Sequence, residues 1–195
     1  MRLGMGGMLR VCLLMVCAAE TVRAQIVIQY SGLPRYEAGF QFNALALNGP
    51  VNAGDLGGGF HFGYNYNPFF SVEAEVSAHN LSSNRATLLG LVGPRVGHTS
   101  RDVGLYVKLL PGFIRFPSHD PDLIPPVAQH PAHFAFATGM VLMRYYERHL
   151  YVRFDIGRTF VDYGGGSYVD PITKKVTHLG VPGGFSGSFG VGAHW

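Results

Sequence analysis

Six charged residues stand at alternating positions inside otherwise apolar or glycine-rich stretches: Glu73, Glu75, Arg95, Lys108, Arg153 and Asp155. Their immediate neighbours, such as Val72, Ala74, Val107, Leu109, Val152 and Phe154, are apolar. In an extended chain successive side chains point to opposite faces, so the charges gather on one face and the apolar neighbours on the other. Carboxylates and cations collected in one interior can act as general acids, relay protons or pair with one another. Pairing needs the fewest assumptions, and breaking a buried pair costs on the order of 3–5 kcal/mol. His98 and Ser100 also alternate on one face, the relation of a base to a hydroxyl nucleophile, but they fall in a predicted tight turn. His119, Asp120, Asp122, His130 and His133 could collect a divalent cation, although Pro117, Pro121, Pro125, Pro126 and Pro131 point to a stiff solvated loop. No phosphate-binding glycine loop or zinc-binding His-Glu-x-x-His helix is present. The expectation is therefore an interior polar network without catalytic residues, metal ligands or cofactor.

The elements that must hold these residues are strands. Phe185, Phe189, Val191 and Trp195 alternate with Ser186, Ser188, Gly190 and His194 at the end of the sequence. Tyr36, Ala38, Phe40 and Phe42 alternate with Glu37, Gly39 and Gln41, while Phe60, Phe62, Tyr64 and Tyr66 oppose Gly59, His61, Gly63 and Asn65. Five further stretches have the same period: 70–79, 85–97, 103–116, 133–145 and 150–163. Gly93-Pro94 predicts a bulge in the fourth of the eight and Pro111 a break in the fifth. The predicted connections after the odd strands are longer than those after the even ones, with residues 117–132 and 164–182 the longest. Such a split, with long loops on one rim and tight turns on the other, is what an outer-membrane barrel has.

Ahead of the strands, Arg2 and Arg10 precede the apolar run Val11 to Ala19, and Val22-Arg23-Ala24 offers a cleavage site. Residues 1–24 are read as a secretory signal peptide, 25–35 as a periplasmic lead-in and 36–195 as one barrel domain. Cleavage there removes both cysteines and leaves a net charge of +1 with histidine neutral. Neither the charge nor the sequence supplies the basic, aromatic-interleaved patch that nucleic acid would need.

Period alone does not say which face is inside, since a soluble barrel has the same alternation. Composition decides between them: the polar face is mostly Gly, Ser and Asn, only 14% of the chain is charged, and 27 residues are glycine. Small residues suit a crowded interior, and aromatics suit lipid and its interfacial belts. The fold expected is an eight-stranded antiparallel up-and-down transmembrane β-barrel in a Gram-negative-type outer membrane, its lumen too narrow for an open pore.

Leu91-Val92-Gly93-Pro94-Arg95-Val96, the pair Arg153 and Asp155, and the terminal Phe189, Val191 and Trp195 resemble the small OmpA-like domains of the outer membrane protein β-barrel family. The resemblance covers nearly all of the chain after the first 24 residues. It implies a non-enzymatic barrel with a plugged polar interior, outer-membrane lipid around it, and external loops for recognition or envelope support. The terminal aromatic strand, Phe189, Val191 and Trp195, is similar to the assembly signal read by the outer-membrane insertion machinery, which the resemblance therefore implies as a partner. His98-Thr99-Ser100 resembles the His/Ser pair of barrel lipid A deacylases, which keeps an enzyme acting on lipid A or phospholipid as the alternative, beside a minimal channel.

Overall fold

A computed structural model describes residues 34–51, 53–82, 85–100, 102–117, 127, 131–146, 149–170, 172–174 and 176–195. The signal-peptide reading and nearly all of the lead-in lie outside these residues. Seven consecutive strands, β1 (Tyr36–Leu47), β2 (Ala53–Asn65), β3 (Phe70–Ser82), β4 (Arg85–Thr99), β5 (Val103–Arg115), β6 (Ala132–Tyr146) and β7 (Leu150–Asp162), are followed by the short β8 (Ser167–Val169) and β9 (Val176–His178). The last strand, β10 (Gly183–His194), pairs with both β7 and β1 and closes an antiparallel barrel of eight strands. Closure leaves no edge strand and satisfies the sheet's backbone groups internally, the condition for strands that sit in lipid. No helix among the described residues is long and apolar enough to cross a membrane, which says nothing about strands.

The faces follow the alternation. Phe42, Phe60, Val107, Phe154, Ile156, Phe189 and Val191 are exposed on the outside, whereas Glu73, Arg95 and Arg153 are fully buried. Arg144, Arg115 and Arg158 also face outward, Arg144 beside the Tyr146 ring.

Three features differ from the sequence reading. First, β4 and β5 pair from Leu91↔Gly112 to Arg95↔Lys108 in one unbroken register, so Pro94 and Pro111 interrupt hydrogen bonding without inserting a residue. Each lacks an N–H, both face outward, and they share the same gap in the ladder. The only register shift of the β3/β4 pairing is at His79/Ser82 instead. Second, β2 starts at Ala53 and β3 runs to Ser82, so the first two connections on the long-loop rim shrink to residues 48–52 and 83–84. The asymmetry rests on residues 116–131 and 163–182, and the latter contain the extra hairpin β8/β9.

The third difference concerns the lumen, whose ion pairs lie toward the short-turn rim. Toward the long-loop rim it is filled by Leu45, Leu47, Leu89, Leu91, Leu110 and Ile114, capped by Phe116 and by Val127 from the third long connection. These leucines have the same inward parity as the charges, so alternation does not distinguish them. They supply the apolar core on which the loop bases pack.

Candidate functional site: the charged lumen

The inward faces of β3, β4, β5 and β7 bring all six predicted charges into one chain of contacts. The Arg153 guanidinium grips Glu73 with two parallel bonds, Nη1 to Oε2 at 2.7 Å and Nη2 to Oε1 at 2.8 Å. This fork geometry is the specific capability of arginine. Nη2 also reaches Glu75 at 2.6 Å and Asp155 at 2.8 Å. On the other flank Lys108 Nζ bridges Glu75 Oε1 at 2.8 Å and Asp155 Oδ2 at 2.5 Å. Arg95 extends the chain toward the short-turn rim, with Nη1 2.7 Å from Glu73 and Nε donating to Ser71 Oγ at 3.0 Å.

Arg95 Nη2 then pairs with a residue that sequence reasoning left out of the network, Glu37, at 2.6 Å. Glu37 is wholly buried, and it also accepts from Tyr145 O–H at 2.6 Å and from Asn65 Nδ2 at 2.8 Å. Its signal was available, since it shares a face with Gly39 and Gln41 at the start of β1. With Glu37 included the network holds four carboxylates and three cations among the described residues. Glycine provides the room. A Cβ on Gly63 would come within 3.0 Å of Glu37 Oε2 and 3.1 Å of Arg95 Nη2, and one on Gly39 within 2.7 Å of His61 Cε1 and 2.8 Å of the Tyr151 hydroxyl. His61 Nε2 and that hydroxyl are hydrogen-bonded at 2.5 Å.

Above the network, toward the apolar cap, the lumen has a pocket of about 40 Å³. Glu75, Lys108 and Asp155 form part of its wall, with Gln41 and Ser188 beside them. Gln41 Oε1, Asn43 Nδ2 and Ser188 Oγ are buried there without a hydrogen-bond partner.

No family model and no curated protein matches the chain. Solved structures do. The outer membrane protein OprG from Pseudomonas aeruginosa is similar at 11% identity and a TM-score of 0.57, over 86% of this chain and 99% of that one. Neisserial surface protein A has 14% identity and a TM-score of 0.48 over 85% of this chain and 98% of its own. The attachment invasion locus protein Ail of Yersinia pestis has 12% identity and a TM-score of 0.42 over 82% and 96%. At such identity the likeness to OprG is one of fold.

Among the described residues the other candidates from the sequence are not assembled into a site. His98 points outward and packs on Phe69, with ring centroids 5.4 Å apart, while Thr99 points inward and hydrogen-bonds Tyr106. Ser100 donates to the Val103 carbonyl at 2.9 Å within the turn. In the third long connection His119, Asp120, Asp122 and His130 lie outside the described residues. His133 packs between Phe116 and Tyr163 and donates from Nδ1 to the Asp162 carbonyl at 3.2 Å. Among the described residues no three His, Cys, Asp or Glu are arranged to hold a metal ion.

The β8/β9 hairpin is shaped by Asp170, whose Oδ1 accepts from the N–H groups of Ile172 and Thr173 at 2.8 Å each, while Lys174 takes a left-handed φ of 57°. The Thr173 and then the Ile172 N–H hold the Asp170 carboxyl below the usual carboxylate range. Because the folded value is lowered, this contribution is present above the ordinary range and disappears as pH falls through the lowered one. Amide exchange at Ile172 and Thr173 is therefore expected to stay slow at neutral pH and to accelerate relative to its intrinsic rate only on strong acidification. Asp170→Ala should exchange fast at both. Equal protection in the two proteins at neutral pH would show that the carboxylate does not form the turn.

Proposed function

We propose that the chain is a non-enzymatic integral outer-membrane barrel whose connections 116–131 and 163–182 face the exterior and serve recognition or envelope support. The observation that carries this is the pairing of an apolar outer surface, with Phe42 65% and Phe60 68% exposed, with a lumen filled by ion pairs below and leucines above. The exposed band can be covered only by lipid or another apolar surface. The filled lumen argues against an open pore, and His98 packed on Phe69 with Ser100 bonded to the Val103 carbonyl gives no support to the base and nucleophile pair that suggested chemistry on lipid A or phospholipid.

On this reading the short-turn rim is periplasmic. Trp195, Tyr36, Phe62 and Tyr64 form an aromatic belt there, with Trp195 and Tyr36 stacked 6.0 Å apart. Outward Arg144 at the same rim, and Arg115 and Arg158 nearer the other, suit anionic headgroups. The proposed partners are outer-membrane lipid and the insertion machinery, the latter reading Phe189, Val191 and Trp195.

The mature protein is expected to fractionate with outer membranes, to migrate differently on gels before and after boiling, and to give no sugar-driven swelling in liposomes. Recovery from the soluble periplasm overturns the membrane assignment. Swelling at rates comparable to a porin favours the channel, and a changed lipid A mass spectrum in expressing cells favours the enzyme.

A further inference from the structure

We propose that the lumen pocket binds one monovalent inorganic cation, held by the carboxylates of Glu75 and Asp155 with Gln41 Oε1 and Ser188 Oγ as neutral ligands. The first support is the charge balance. Glu37 has Arg95 and Glu73 has the fork of Arg153, while Glu75 and Asp155 share Lys108 and a single Arg153 nitrogen. The one carboxylate in excess is thereby located in the pair that borders the pocket. An uncompensated charge in a lumen of low dielectric is strongly unfavourable, and one monovalent ion brings the balance to zero.

The second support is independent of charge. Gln41 is 3% exposed, yet its Oε1 has no partner and lies in the pocket wall, as does Ser188 Oγ. Oxygens of this kind are what hard cations take. A pocket of about 40 Å³ has space for a few water-sized bodies, since one needs about 10–15 Å³ by this measure. It accommodates a sodium or potassium ion with a water or two, with Asn43 Nδ2 placed to donate to that water. A divalent ion would overshoot the single excess charge and sit close to the Lys108 ammonium. His79, whose Nε2 is 3.0 Å from Ser77 Oγ and whose Nδ1 is unpartnered, also faces the pocket. A proton on His79 or on a carboxylate is the competing way to balance the charge. The proposal does not depend on what the external loops do.

The test uses the full mature chain folded in detergent micelles at pH 8, where an ordinary histidine is neutral. Urea midpoints are compared in sodium, potassium and choline chloride at equal ionic strength, choline being too large for the pocket. The expected result is a saturable upward shift of the midpoint with sodium or potassium that choline does not give. Glu75→Gln, which removes the excess charge, and Gln41→Leu, which keeps every ion pair, should each abolish the shift, and Glu75→Gln should be at least as stable as wild type in choline. Thallium(I) soaked into crystals should give an anomalous peak between Gln41 and Asp155. Equal midpoints in all three salts, or a shift that survives in both variants, overturns the proposal. So does uptake of about one proton on folding at pH 8 with no dependence on the cation.

Discussion

Arg153→Met is expected to lower the free energy of unfolding in detergent micelles by about 3–5 kcal/mol, the cost of stranding buried charge. Arg153 is the hub of the lumen: it binds Glu73 through two nitrogens and reaches Glu75 and Asp155 within 2.8 Å. Removing it leaves Glu73 with Arg95 alone, and Glu75 and Asp155 with Lys108 alone. Methionine occupies a similar volume without donors, so the loss should come from stranded carboxylates rather than a void. Arg153→Lys keeps the charge but cannot make the two-pronged bond to Glu73, and it should fall between wild type and Arg153→Met. Adding Glu73→Gln to Arg153→Met should recover part of the loss, because one of the stranded charges is gone. The check is a double-mutant cycle on urea midpoints and slopes. Additive losses for Glu73→Gln and Arg153→Met would show that the two side chains are not energetically coupled.

The inward position of Arg153 was legible in the sequence because side-chain parity is local: Val152 and Phe154 on either side fix the face. Its partners were not legible, since they come from other strands and depend on barrel register, as with Arg95 and Glu37, 58 residues apart. The face of Glu37 was legible in the same way, beside Gly39 and Gln41, but its partners Arg95, Tyr145 and Asn65 come from three other strands. The start of β2, residues 53–56, was missed for another reason. Gly54 and the Gly57 and Gly58 that follow have no side chains to alternate, so the period shows only further along the strand, yet all of them pair in register with β1. A Cβ on Gly58 would come within 3.3 Å of the Phe40 ring, so the neighbouring strand supplies the apolar cover that this segment lacks. The apolar cap of the lumen was hidden by its correct parity. Leu45, Leu89 and Leu91 alternate as lumen residues should, and only their height in the barrel separates them from the charges. The three-residue strands of β8 and β9 are too short to show any period.

The second large effect is expected on assembly. Trp195 lies one residue beyond β10, where its N–H donates to the Tyr36 carbonyl at 3.0 Å and its own carbonyl accepts from Arg35 and Tyr36 N–H at 2.8 and 2.9 Å. Those backbone bonds close the barrel and do not need the indole. The ring is 57% exposed and contributes its outer face to the aromatic belt with Tyr36. An indole in such a belt lies against the hydrocarbon edge with its N–H near water. Trp195→Ala therefore removes an interfacial anchor and the aromatic end of the proposed assembly signal, while the bonds of Glu37, Glu73, Arg95 and Arg153 stay in place. Cells expressing Trp195→Ala are expected to show a several-fold lower outer-membrane yield and accumulation in the periplasm, whereas the same variant refolds from urea into micelles almost as wild type does. Arg153→Met should give a different pattern, with a loss in both settings. Comparing the two variants in both settings separates recognition of the chain from stability of the product, because only recognition depends on a side chain that faces away from the lumen. Wild-type insertion of Trp195→Ala in cells would show that the terminal aromatic is not what the insertion machinery reads.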